Sequence, residues 1–93
     1  MEMNHVEGGD HGDVTLFTLS TCIWCKKVKA LLKELDVAYH YVDVDLLKAP
    51  EKESALAELK RFNPLCSFPS LVVNGSACIV GFDEAKIKEA LKA

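Results

Sequence analysis

The chain has 93 residues, 49% of them hydrophobic, with 11 Lys plus Arg against 14 Asp plus Glu and a formal net charge of -3. That length supports one compact core and not two, and the slight acidity argues against the basic footprint by which proteins grip nucleic acid or anionic membrane surfaces. No apolar run approaches the roughly 18 residues needed to span a bilayer, and the opening MEMNHVEGGDHGD has neither the basic start nor the apolar centre of a secretory signal. The expectation is therefore a cytoplasmic protein whose partners are other proteins and small molecules.

Residues 1–13 mix Glu, Asp, His, Asn and three glycines with almost no apolar side chain. Such a composition offsets little of the entropy of ordering, and it predicts a mobile tail ahead of a domain over residues 14–93. Val14 to Thr18, VTLFT, reads as a buried strand, and Ser20 and Thr21 follow with hydroxyls suited to capping a helix. From Ile23 the period changes: Val28, Leu31, Leu32 and Leu35 share one helical face while Lys26, Lys27, Lys29 and Lys33 lie off it. Val37 to Asp45 reads as a second strand, joined to the first by a right-handed parallel crossover. A second helix starts near Pro50, with Glu51 and Glu53 early and Lys60 and Arg61 late, as the helix dipole favours. Asn63-Pro64 ends it. Two β-rich runs, Ser70 to Val73 and Ser76 to Val80, flank Asn74-Gly75 and predict a hairpin. Gly81 closes the last strand, Asp83 is placed to cap, and Ile87, Ala90 and Leu91 mark a short final helix. The order strand, helix, strand, helix, strand, strand, helix predicts a mixed sheet between helices.

Four cysteines, Cys22, Cys25, Cys66 and Cys78, are too few to staple a domain this rich in Leu, Val and Ala. In a reducing compartment a Cys-x-x-Cys points instead to catalysis or metal binding. Residues three apart on a helix have Cβ atoms roughly 5 to 6 Å apart, near the span that a disulfide accepts. Cys22 falls at the helix start, where unpaired backbone N–H groups favour an anion and hence a thiolate. The pair thus divides its labour, Cys22 attacking and Cys25 resolving.

STCIWC between a strand and a helix, followed by FPSLVVNG and GFDEAKI, resembles a glutaredoxin of the thioredoxin fold from about Val14 onward. The resemblance implies an α/β fold, β-α-β-α-β-β-α, with a four-stranded mixed sheet in the order 2-1-3-4 and helices on both faces. It also implies a cis Pro69 facing the cysteines, with the backbone of Phe68 free to pair with an extended substrate. Trp24 would shield the disulfide and touch substrate, and the turn at Phe82 and Asp83 would hold the γ-glutamyl end of glutathione. The implied activity is thiol-disulfide exchange on disulfide-containing proteins and mixed disulfides, serving electron transport and cell redox homeostasis. The protein would act as a monomer with no bound cofactor, its electrons supplied by glutathione, another low-molecular-weight thiol or a thioredoxin-reductase-type enzyme. A second reading is an iron-sulfur module in which two chains share a cluster through Cys22.

The chain departs from the family pattern at Ile23, where proline is usual, and at Leu19, where a lysine usually meets the glycyl carboxylate. Ser67-Phe68-Pro69 stands for Thr-Val-Pro, and Val80-Gly81 for Gly-Gly. Lys60 and Arg61 are candidates to supply the missing carboxylate contact. Cys66, on the loop before Pro69, reads as a packing residue, with an alternative disulfide or glutathionylation as its second reading, and Cys78 reads as strand packing. A four-cysteine zinc site is not expected, since no second close pair exists, and neither His5, His11 nor His40 has the spacing or partner of a ligand or base.

Overall fold

The computed structural model describes residues 3–92. Its elements are β1 (Asn4–Val6), β2 (Val14–Thr18), α1 (Ile23–Glu34), β3 (Tyr39–Asp43), α2 (Ala49–Lys60), β4 (Ser70–Val73), β5 (Ala77–Val80) and α3 (Glu84–Leu91), with a 3-10 turn at Val44–Leu46. The sheet runs β1-β3-β2-β4-β5. β2 and β3 are parallel, with Phe17 opposite Val42, and the pairs β2–β4, β4–β5 and β1–β3 are antiparallel. The four strands β3-β2-β4-β5 keep the expected order, and β1 adds a fifth beside β3.

Alternation along the strands feeds two cores. Leu16, Leu71 and Ile79 point to one face, where Val28, Leu31 and Leu32 of α1 and Ile87 and Leu91 of α3 close over them. Phe17, Val42 and Val72 point to the other, under Ala55 and Leu59 of α2. Each Val, Leu, Ile or Phe among them, fully buried, contributes about 1.5–3 kcal/mol, and truncating Leu32 to Ala would cost about 2–5 kcal/mol. The hairpin forms as the Asn-Gly pair requires, with both residues left-handed (φ 53° and 65°). β3 is shorter than Val37 to Asp45, because the chain enters the 3-10 turn at Val44 and the Asp43 and Asp45 carboxylates turn back to accept from Thr18 and Ser20.

The expected mobile tail is the main correction. Residues 1 and 2 lie outside the described residues, but the following segment is tied down at several points. β1 pairs with β3, the Gly9 amide donates to Asp36 O (2.7 Å), and the Ala38 amide donates to Gly9 O (2.9 Å). His11 Nδ1 lies 3.0 Å from Leu91 O, and the Asp13 amide donates to the Asn74 side chain (2.9 Å). The glycines that suggested disorder have a packing role: a Cβ on Gly8 would stand 2.7 Å from the Val37 carbonyl carbon, so only glycine permits this backbone approach.

Candidate active site

The end of β2 delivers the chain to α1 through Leu19, Ser20 and Thr21. The capping expected of Ser20 or Thr21 is performed by Cys22, whose backbone is extended and whose sulfur accepts from the Cys25 amide at 3.2 Å. Ser20 is occupied elsewhere, its amide and hydroxyl both donating to the Asp45 carboxylate (2.8 and 2.5 Å). Those bonds hold the exposed Asp45 carboxyl below its ordinary value, and they fix the approach to the helix start. Cys22 is half-buried and Cys25 is 1% exposed; both are free thiols.

The two sulfurs sit in different environments. Burial, reinforced by the hydrogen bond with Cys22, pushes the Cys25 thiol up to about 12, against the opposing pull of the Leu19 amide and the Lys29 ammonium. Cys25 therefore rests as a neutral thiol at neutral pH. Cys22, at the helix mouth, accepts from the Cys25 amide, a helix-start donor of the kind that favours negative charge on an acceptor.

Phe68, Pro69, Trp24, Phe82 and Gly81 line one shallow cavity of about 240 Å³. The Phe68–Pro69 bond is cis, and the Phe68 backbone has no partner among the described residues. Trp24 is 54% exposed and lies against Phe82, ring centroids 6.2 Å apart and planes 27° from parallel. Lys27 Nζ stands 4.6 Å over the Trp24 ring, the one cation of the Lys26–Lys27 pair in contact with this aromatic wall. Gly81 turns the chain with φ 79°, a backbone that a side chain would strain even though there is open space for one.

Four of the five binding residues expected around the cysteines thus meet in one place. Asp83 does not line the cavity; its carboxylate accepts from the Lys86 amide at 3.1 Å and caps α3. Nor do Lys60 and Arg61 reach it. Arg61 pairs with Glu58 at 3.0 Å and borders a separate depression beside Phe17 and Val72.

Two supporting clusters escaped the reading of the sequence. Asn63, taken only as a helix stop, is buried; its amide donates to Ser67 Oγ (2.9 Å) and Ser70 Oγ (3.1 Å), its oxygen accepts from the Leu65 amide (3.2 Å), and Ser70 Oγ donates to Ser67 O (2.7 Å). This network braces the loop that presents Phe68 and Pro69. The second cluster holds Lys29, whose charge acts on Cys25. The buried Thr18 hydroxyl divides its proton between Val42 O (3.1 Å) and Asp43 (2.5 Å), and Asp43 in turn holds Lys29 Nζ at 3.3 Å. The available signal was the i, i+4 spacing of Cys25 and Lys29 on one helical face. Cys66 and Cys78 are half-buried against the core under α2, as packing residues should be, and burial raises the Cys78 thiol.

Known proteins share this fold. The glutaredoxin of Methanosarcina mazei Go1 superposes with a TM-score of 0.92 at 49% identity, covering 98% of this chain and 88% of that one. Methanoredoxin of Methanosarcina acetivorans gives 0.89 at 49% identity, covering 92% and 90%. An uncharacterized glutaredoxin-like 8.6 kDa protein in the rubredoxin operon of Clostridium pasteurianum is 27% identical over 79 residues, which are 85% of this chain and 97% of that protein. The glutaredoxin family model matches residues 14–78, from the first residue of β2 into β5. The cysteine pair at the head of α1 therefore has a family context, and the chain belongs to the glutaredoxins, a family of thiol oxidoreductases.

Proposed function

We propose that this protein reduces protein disulfides and mixed disulfides of low-molecular-weight thiols by a dithiol route. The Cys22 thiolate attacks one sulfur of the substrate disulfide; a Cys22–substrate disulfide forms and the other substrate sulfur leaves as a thiolate that takes up a proton. Cys25 then loses its proton and attacks Cys22 Sγ, releasing the second substrate sulfur and leaving a Cys22–Cys25 disulfide. Two electrons from glutathione, another small thiol or a reductase return the pair to the thiol state. The observation that carries this reading is the asymmetry of the pair: an accessible Cys22 sulfur held by the Cys25 amide, above a buried thiol that burial keeps protonated until it is needed. The cavity of Trp24, Phe68, Pro69 and Phe82 supports substrate docking, the free Phe68 backbone offering the donor and acceptor of an added strand.

The test compares wild type, Cys22→Ser and Cys25→Ser on a glutathione mixed disulfide and on a protein disulfide. Cys22→Ser should abolish both activities. Cys25→Ser should retain the first activity and lose the second; retention of protein-disulfide reduction by Cys25→Ser at the wild-type rate would refute the dithiol route.

A further inference from the structure

His5 and His40 are far apart in sequence, and neither belongs to the thiol site. The added strand β1 brings them together: they are directly opposite in the antiparallel β1–β3 register, both are exposed, and their ring centroids are 4.6 Å apart. They line a depression of about 230 Å³ together with Asp10 and Asp13. A directly opposite cross-strand pair projects two side chains from one face with Cβ atoms about 4.5–5.5 Å apart, near enough for both rings to reach one ion.

From this juxtaposition we infer a site for a first-row divalent transition-metal ion, of the Zn²⁺, Ni²⁺ and Cu²⁺ class, bridged between the His5 and His40 imidazoles. The geometry suits it. An ion about 2.0–2.1 Å from one nitrogen of each ring lies roughly 3.1 Å from each centroid, and centroids 4.6 Å apart then subtend an angle of about 95° at the metal. That lies between the angle of adjacent octahedral or square-planar ligands and the tetrahedral one. Imidazole nitrogen is the ligand type these ions prefer over oxygen-seeking Mg²⁺ or Ca²⁺. No group of three or more His, Cys, Asp or Glu side chains poised to ligate occurs among the described residues, so water completes the coordination. Asp10 and Asp13 act at longer range, as negative charge beside a dication. Asp10 Oδ1 accepts from the Gly12 amide at 2.9 Å, which fixes that carboxylate in place. Bound metal would clamp β1 to β3.

The site lies by the start of β2, since His40 is opposite Thr15, whereas the cysteine pair follows the far end of that strand. Metal binding here is thus separable from thiol chemistry. The experiment titrates Ni²⁺ into the full chain in a Cys22→Ser/Cys25→Ser background, reading affinity by calorimetry and broadening of histidine ring signals by NMR. The expected result is one ion per chain, broadening of His5 and His40 together, and at least a tenfold loss of affinity in His5→Ala and again in His40→Ala. His5 lies on an exposed three-residue edge strand, so its variant keeps the core intact and decides the matter if His40→Ala fails to fold. Unchanged affinity in His5→Ala, broadening of His11 alone, or loss of binding only on substituting Cys66 or Cys78 would each overturn the proposal.

Discussion

Burial of Cys25 makes the stability of the reduced protein depend on alkaline pH in a way that one substitution isolates. The thiol has an ordinary value of 9.0 and is pushed up to about 12 in the fold. Because the folded value lies above the unfolded one, the contribution is intact below about pH 9 and is lost as pH rises from there toward 12, where the unfolded chain releases a proton that the folded chain keeps. Between pH 8 and pH 10 the ionised-to-protonated ratio of the unfolded thiol rises from about 0.1 to about 10 while the folded thiol stays protonated, which stabilises the unfolded chain by RT ln(11/1.1), a loss of about 1.4 kcal/mol. For a domain of this size that is a fall in Tm of roughly 5–10 °C. Cys25→Ala removes the thiol and leaves the rest of the sequence unchanged, so the difference between the two proteins reads Cys25 together with its contact with Cys22. Urea unfolding under full reduction, at pH 8 and pH 10, supplies the measurement. Parallel losses in wild type and Cys25→Ala would refute the assignment of Cys25 as the thiol that burial holds protonated.

Removing the Asn63 amide in Asn63→Ala leaves the buried Ser70 hydroxyl and the Leu65 amide short of partners, which should destabilise the fold by about 2–4 kcal/mol; chemical denaturation checks this, and KM for a protein disulfide should rise because the Phe68–Pro69 loop is loosened. Lys29→Met takes away the cation that eases ionisation of Cys25. Protein-disulfide turnover should slow several-fold, with its pH dependence displaced to higher pH, while Cys25-independent reduction of a mixed disulfide keeps its rate. Asp83→Ala strips the cap of α3 and should cost about 1 kcal/mol of stability in denaturant melts, with Asp83→Asn recovering most of it.

Much of this was legible in the sequence because local signals and global fold agree. The helical period of Val28, Leu31 and Leu32 specified the face α1 buries, and Asn74-Gly75 specified a hairpin whose two left-handed residues the structure contains. The cavity residues were found through motif resemblance, since nothing in local propensity tells a cis proline from a trans one or brings Trp24 against Phe82. What escaped is non-local. Asn63 acts through side chains four and seven residues on, and Lys29 through a carboxylate on another element. The glycines of the first segment were read as entropy when their missing Cβ atoms permit close backbone contact. The histidines looked isolated because a three-residue strand is too short to carry any periodicity.

That short strand also governs how the molecule meets its own copies. Without β1, the outer side of β3 would be an open ladder, a row of amides and carbonyls from Tyr39 to Asp43 ready to recruit another chain's strand. Asn4, His5 and Val6 cover this edge with a strand only three residues long, and Gly8 and Gly9 then carry the chain inward along the Val37 backbone. A shortened chain beginning at Val14 would keep both cores and the thiol pair yet lose this cover, turning a capped sheet edge into a template for edge-to-edge aggregation.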